Sequence, residues 1–115
     1  MKKAGQIVLF RFPQTNLDIG KLRPALLLGK VPGNYDDYLV CMISSNLEQA
    51  IENIDEIITY RDNDFVQSGL KMDSVFRVSR LAVIESNLLL GSVGEVDHKR
   101  FERIKSKIIN WINEI

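Results

Sequence analysis

The chain has 115 residues, 45% hydrophobic and 26% charged, which suits one compact domain with a real core and leaves no room for two. One cysteine, Cys41, excludes an internal disulfide or a Cys-rich zinc site, and one histidine, His98, excludes a His–His catalytic pair or a His-based metal site within one chain. The formal net charge is zero, yet residues 1–30 carry +5, residues 31–75 carry −7 and residues 76–115 carry +2, so one face can still attract a polyanion.

Gln6 to Phe12 reads as a largely buried strand rich in β-formers and ended by Pro13. The basic start before it resembles the head of a signal peptide. The apolar run Ile7-Val8-Leu9-Phe10 is too short for one and is cut by Arg11, which argues against secretion. No stretch approaches the ~18 apolar residues of a membrane span, and a reducing cytoplasm is the expected compartment.

Gln14 to Leu22 is a polar loop, and Pro24 to Lys30 a second apolar strand with Pro24 at its first position. Val31-Pro32-Gly33-Asn34 is a turn signature, and Tyr38 to Ile43 a third strand that buries Cys41 as an inert thiol. Ser45-Asn46-Leu47-Glu48 fits a capping box. Leu47, Ala50, Ile51 and Ile54 follow at helical spacing and predict a short helix. Glu56 to Tyr60 reads as a short strand and Asp62 to Gly69 as polar and irregular. Ser74 to Glu85 reads as two strands or one bent strand, broken near Ser79-Arg80.

Asp97 caps a C-terminal helix whose stripe of Phe101, Ile104, Ile108, Trp111, Ile112 and Ile115 faces the core. Lys99, Arg100, Arg103, Lys105 and Lys107 lie largely off that stripe and read as a solvated basic face. His98 reads as a surface residue of the first turn. Five or six short strands with one terminal helix predict a small twisted barrel, mainly β, rather than an open parallel sheet. No Gly-rich phosphate loop and no His-Glu-x-x-His helix is present, so the chemistry points to arginine and hydroxyl groups without metal or cofactor.

Several stretches, in order and along nearly the whole chain, resemble the MazF/PemK toxin family. They are Gly5-Gln6-Ile7-Val8-Leu9-Phe10-Arg11-Phe12-Pro13, Gly20-Lys21-Leu22-Arg23-Pro24-Ala25-Leu26-Leu27-Leu28, Met42-Ile43-Ser44-Ser45-Asn46, Ser68-Gly69-Leu70-Lys71-Met72-Asp73-Ser74-Val75-Phe76-Arg77-Val78 and Leu90-Gly91-Ser92-Val93-Gly94. The resemblance implies an SH3-like barrel of the MazF/CcdB/Kid type with a C-terminal helix, a two-fold homodimer and one toxin domain over residues 1–115. It implies sequence-selective cleavage of single-stranded mRNA without metal, neutralisation by a cognate antitoxin, and operator DNA binding as the toxin–antitoxin complex.

Cleavage of this kind uses the substrate's 2′-hydroxyl as nucleophile. The protein then supplies a base, charge for the phosphorane oxygens and an acid for the leaving 5′-oxygen. Arg23 is the first choice for the charge, since its planar fork pairs bidentately with phosphate and Pro24 biases it to extended backbone. Ser44 stands where the family has a phosphate-binding threonine. Arg77 matches an arginine that some members use as general acid. Ser79 stands two residues on, where that group has a basic aspartate, and by period two it shares a face with Arg77. Asp18 is an alternative base in the first loop. Lys21 and Arg11 are candidate phosphate contacts, and Ser45 and Asn46 continue the substrate-binding motif. The alternatives are a non-enzymatic toxin of the same barrel that binds a protein target, as gyrase poisons do, suggested by Trp111 near the end of the chain, and a catalytically weakened barrel that still binds RNA or antitoxin.

Overall fold

The computed structural model describes residues 2–11 and 21–115, so Asp18 lies outside the described residues. Its strands are β1 (Gln6–Arg11), β2 (Leu22–Lys30), β3 (Asp37–Ser44), β4 (Glu56–Ile58), β5 (Ser74–Glu85) and β6 (Leu89–Glu95), with helices α1 (Phe65–Ser68) and α2 (His98–Asn113). The strands form one antiparallel sheet in the order β4-β5-β3-β2-β1-β6. The mainly β class with a C-terminal helix therefore holds.

Both faces of the central strands are buried, which is why β1, β2 and β3 read as continuous apolar runs rather than alternating ones. Ile7, Leu26, Cys41, Phe76 and Val78 face one core, which α2 covers with Ile104 and Ile108. Their chain neighbours Val8, Ala25, Leu27 and Val40 face a second core, closed by Ile84 and Leu89. Trp111 packs against the first core, so its place near the end of the chain has a structural reason. Ile112 and Ile115, expected on the same stripe, are exposed.

The sheet curls so far that α1, which follows β4 at one edge, lies against β6 at the other. Gly69 ends α1 at φ 74, and a Cβ built on Gly69 or Gly94 would collide with the facing backbone of Val93 or of Gln67 and Ser68. That demand for glycine made Leu89–Glu95 hard to foresee as a strand. Its β-forming residues are diluted by Gly91 and Gly94, and its pairing with β1 is interrupted twice.

Three local expectations are corrected. The segment after Ser45 makes a 3₁₀ turn at Leu47–Gln49 in place of an α-helix, and Asn46, not Ser45, caps it by accepting from the Glu48 amide at 3.1 Å. The helix cannot continue because the Asp55 carboxylate takes the Ile51 amide at 2.9 Å and Asn53 turns the chain at φ 67. Residues 62–69 are not wholly irregular, since they contain α1.

The third correction concerns the basic face of α2. Asp97 caps the helix as expected, accepting from the Arg100 amide at 2.8 Å, and His98 is exposed. Arg100, however, is only 5% exposed. Its guanidinium bonds Asp64 through Nε at 2.8 Å and through Nη2 at 3.1 Å, and Glu56 at 3.0 Å and the Ile57 carbonyl at 3.1 Å through Nη1. Asp62 lies 3.2 Å from Nη2. Arg103 bonds Glu56 as well, and Lys107 donates to the Asp55 carbonyl at 3.0 Å. Burial alone would push the Asp64 carboxyl up. The Arg100 hydrogen bond, the Asp97 amide and the Arg100 charge outweigh it and hold that carboxyl below its ordinary 3.8. Much of the expected basic face is thus a clamp between α2 and the acidic segment of the chain.

Candidate functional site

A groove opens where β2 and β3 part. Their ladder ends at the Ala25–Met42 pair, while β3 continues to Ser44 against Val75 of β5. One more step of the β2–β3 register would set Pro24 beside Ile43, and the next Arg23 beside Ser44. Pro24 is the third residue of β2 rather than its first. It is tolerated because its β3 side already lies outside the ladder. Arg23 is held extended on the opposite side of β2 by its pairing with Phe10 of β1.

The groove, about 370 Å³, is lined by Arg23, Pro24, Met42, Ile43, Ser44, Gln49, Arg77 and Arg80. It therefore brings together Arg23, Ser44 and Arg77, the three residues singled out as catalytic candidates, from three different strands. Three guanidinium groups and, among the described residues, no carboxylate line it, which suits an anion. The Ser44 Oγ accepts from the Asn46 amide at 3.1 Å, so its proton is left to donate.

Arg77 carries the clearest sign. Its Nε is buried and has no hydrogen-bond partner among the described residues. A buried donor left unmade costs about 1–3 kcal/mol, so native structures rarely leave one without a purpose. Here it belongs to a side chain that lines the groove.

The other candidates fall elsewhere. Ser79 is not part of the groove lining; Arg80 is. The reason is a bulge in β5. Arg77 pairs with Met42, but Cys41 pairs with Leu81, so Val78, Ser79 and Arg80 have no counterpart on β3 and period two fails there. The expected break at Ser79-Arg80 marked the place, and Arg80, not singled out from the sequence, joins the lining. Lys21 and Arg11 are exposed at the same end of the sheet, Arg11 opposite Leu22, and neither lines the groove. Ser45 and Asn46 are exposed just beyond Ser44, also outside the lining. Gln49 was not foreseen and comes from the 3₁₀ turn after β3.

The model of the PemK-like, MazF-like toxins of type II toxin–antitoxin systems matches residues 3–112. The chain belongs to that family. Among solved structures it is similar to a MazE–MazF complex from Deinococcus radiodurans (18% identity, 97% of this chain and 96% of that one, TM-score 0.71). It is similar also to the Mycobacterium tuberculosis toxin MazF-mt6 (16% identity, 94% and 96%, TM-score 0.69). A third likeness is to a mycobacterial endoribonuclease in complex with its cognate antitoxin (14% identity, 98% and 96%, TM-score 0.68). At these identities the likeness shows the shared fold. No curated protein is matched. As a toxin of this family the chain shows no described helix long and apolar enough to cross a membrane.

Proposed function

We propose that this toxin is a sequence-selective endoribonuclease that cleaves single-stranded mRNA through the substrate's own 2′-hydroxyl, acts in the bacterial cytoplasm as a homodimer, and is held inactive by a cognate antitoxin. The observation that carries the reading is the buried Nε of Arg77, without a partner among the described residues, in a groove that Arg23 and Arg80 also line. Operator DNA is a partner of the toxin–antitoxin complex rather than of the toxin alone.

In this reading the scissile phosphate sits between β2 and β5. Arg23 pairs with one of its non-bridging oxygens, and Arg77 donates its Nε–H toward the other or toward the leaving 5′-oxygen. The Ser44 hydroxyl adds a third donor. As the 2′-oxygen attacks it gives its proton to water, and the phosphorane gains negative charge that fixed guanidinium groups stabilise more than they stabilise the ground state; the P–O5′ bond then breaks and the 5′-oxygen takes up a proton. Arg23, Arg77 and Arg80 all line the groove, so arginine meets the charge on the phosphorane. The products are a 2′,3′-cyclic phosphate and a 5′-hydroxyl.

The test is incubation of the purified toxin with a long unstructured RNA in excess chelator, followed by mapping of the ends. Cleavage at recurring short motifs with 5′-hydroxyl ends is expected. Intact RNA, or 5′-phosphate ends, would overturn the reading.

A further inference from the structure

The bulge that separates Arg77 from Leu81 is held by groups outside the sheet ladder. Its key unit is the peptide between Arg77 and Val78. The Val78 amide donates to Oδ1 of Asp55 at 2.8 Å, across 23 residues of chain. The Arg77 carbonyl lies 3.4 Å from the Cys41 sulfur, whose thiol donates to it; the same sulfur is 3.8 Å from the Met42 carbonyl. Both ends of this peptide are thus satisfied by buried side chains. Asp55 is 8% exposed and Cys41 fully buried.

Asp55 is itself anchored. Its second oxygen accepts from the Ile51 amide at 2.9 Å, and its carbonyl accepts from Lys107 of α2. A carboxylate accepting two amides is a strong fixed point, because charge-assisted bonds are about twice as strong as neutral ones. The thiol stays protonated as a donor: burial, and secondarily the Asp55 charge, push it up to about 12.

The bulge has a consequence for the groove. Residues three apart on a regular strand point to opposite faces, yet Arg77 and Arg80 both line the groove. Resting on the proposed nuclease reading, we propose that Asp55 is a positioning residue. By fixing the Arg77–Val78 peptide at the point where the bulge leaves the β3–β5 ladder, it sets Arg77 and Arg80 on one wall, without touching the RNA itself.

The test compares wild type with Asp55→Ala and Asp55→Asn, each also combined with Arg77→Ala. The Asn variant keeps one acceptor and folds if the Ala variant does not. Three readouts are taken on folded protein: single-turnover RNA cleavage, hydrogen exchange of the Val78 amide, and the NMR resonance of the Arg77 Nε–H. Loss of the clamp is expected to speed Val78 exchange at least tenfold in Asp55→Ala, to shift the Arg77 resonance in both variants, and to slow cleavage by roughly 10–100-fold. That slowing should be largely absent when Arg77 is already Ala, because positioning acts through that side chain. Wild-type cleavage in the folded variants, or a slowing that multiplies fully with that of Arg77→Ala, would overturn the proposal. If wild type cleaves no RNA, the nuclease reading falls by itself. The clamp is then judged on the spectra: an Arg77 resonance identical in wild type and Asp55→Asn would overturn it, and a shifted one would support it.

Discussion

Two groups of arginines divide this toxin. On α2, Arg100 is ringed by Glu56, Asp62 and Asp64, and every bond it makes is internal. In the groove, Arg23, Arg77 and Arg80 line a wall that has no acid among the described residues, and one buried donor of Arg77 has no partner among them. The same side chain serves opposite ends. Where carboxylates are supplied, the charge is spent on holding the helix to the sheet; where they are withheld, it is kept for an anion from outside. Net charge, which is zero for the chain, hides this difference completely.

The contrast can be broken from either side. The largest effect is expected from Arg100→Ala, which leaves Asp64 a buried charge without its cation and Glu56 with only Arg103 and Lys107. Losing one partner of a buried ion pair costs about 3–5 kcal/mol, to be read from urea unfolding; a loss below about 1 kcal/mol would mean the clamp is dispensable. Arg23→Ala is expected to do the reverse. Cleavage should slow by about 10²–10³, the scale for removing one transition-state donor, while the unfolding midpoint stays near that of wild type. A variant that unfolds early but cleaves normally when folded would place Arg23 with the structural group.

A smaller effect separates the groups by pH. The Asp64 carboxyl is held below 3.8 in the folded chain by Arg100 against the opposing effect of burial. Its contribution is therefore present above the unfolded value and is lost as pH falls through the folded one. Unfolding measured from pH 5 downward should show stability dropping in wild type, and dropping less in Arg100→Met, where the partner is already gone.

Much of the fold was legible because its signals are local. The apolar runs of β1, β2 and β3, the Asp97 cap and the α2 stripe each follow from neighbouring residues. Arg23, Ser44 and Arg77 were legible through the family resemblance, and the parting of β2 from β3 gathers them. What could not be read is what depends on distant partners. Arg100 looked solvated because its acids lie 36 to 44 residues away. Arg80 was assigned to no site because period two holds only where no bulge intervenes, and the bulge is fixed by Asp55 from another part of the chain. β6 was hidden by Gly91 and Gly94, of which Gly94 serves the contact with α1 rather than the strand.

The most direct measurement of the central contrast follows the arginine Nε–H resonances while single-stranded DNA of mixed sequence, which lacks the attacking 2′-hydroxyl, is added to the intact toxin. The Arg77 resonance is expected to move in a saturable, salt-sensitive way while the Arg100 resonance stays in place. A stationary Arg77 beside a moving Arg100 would contradict it.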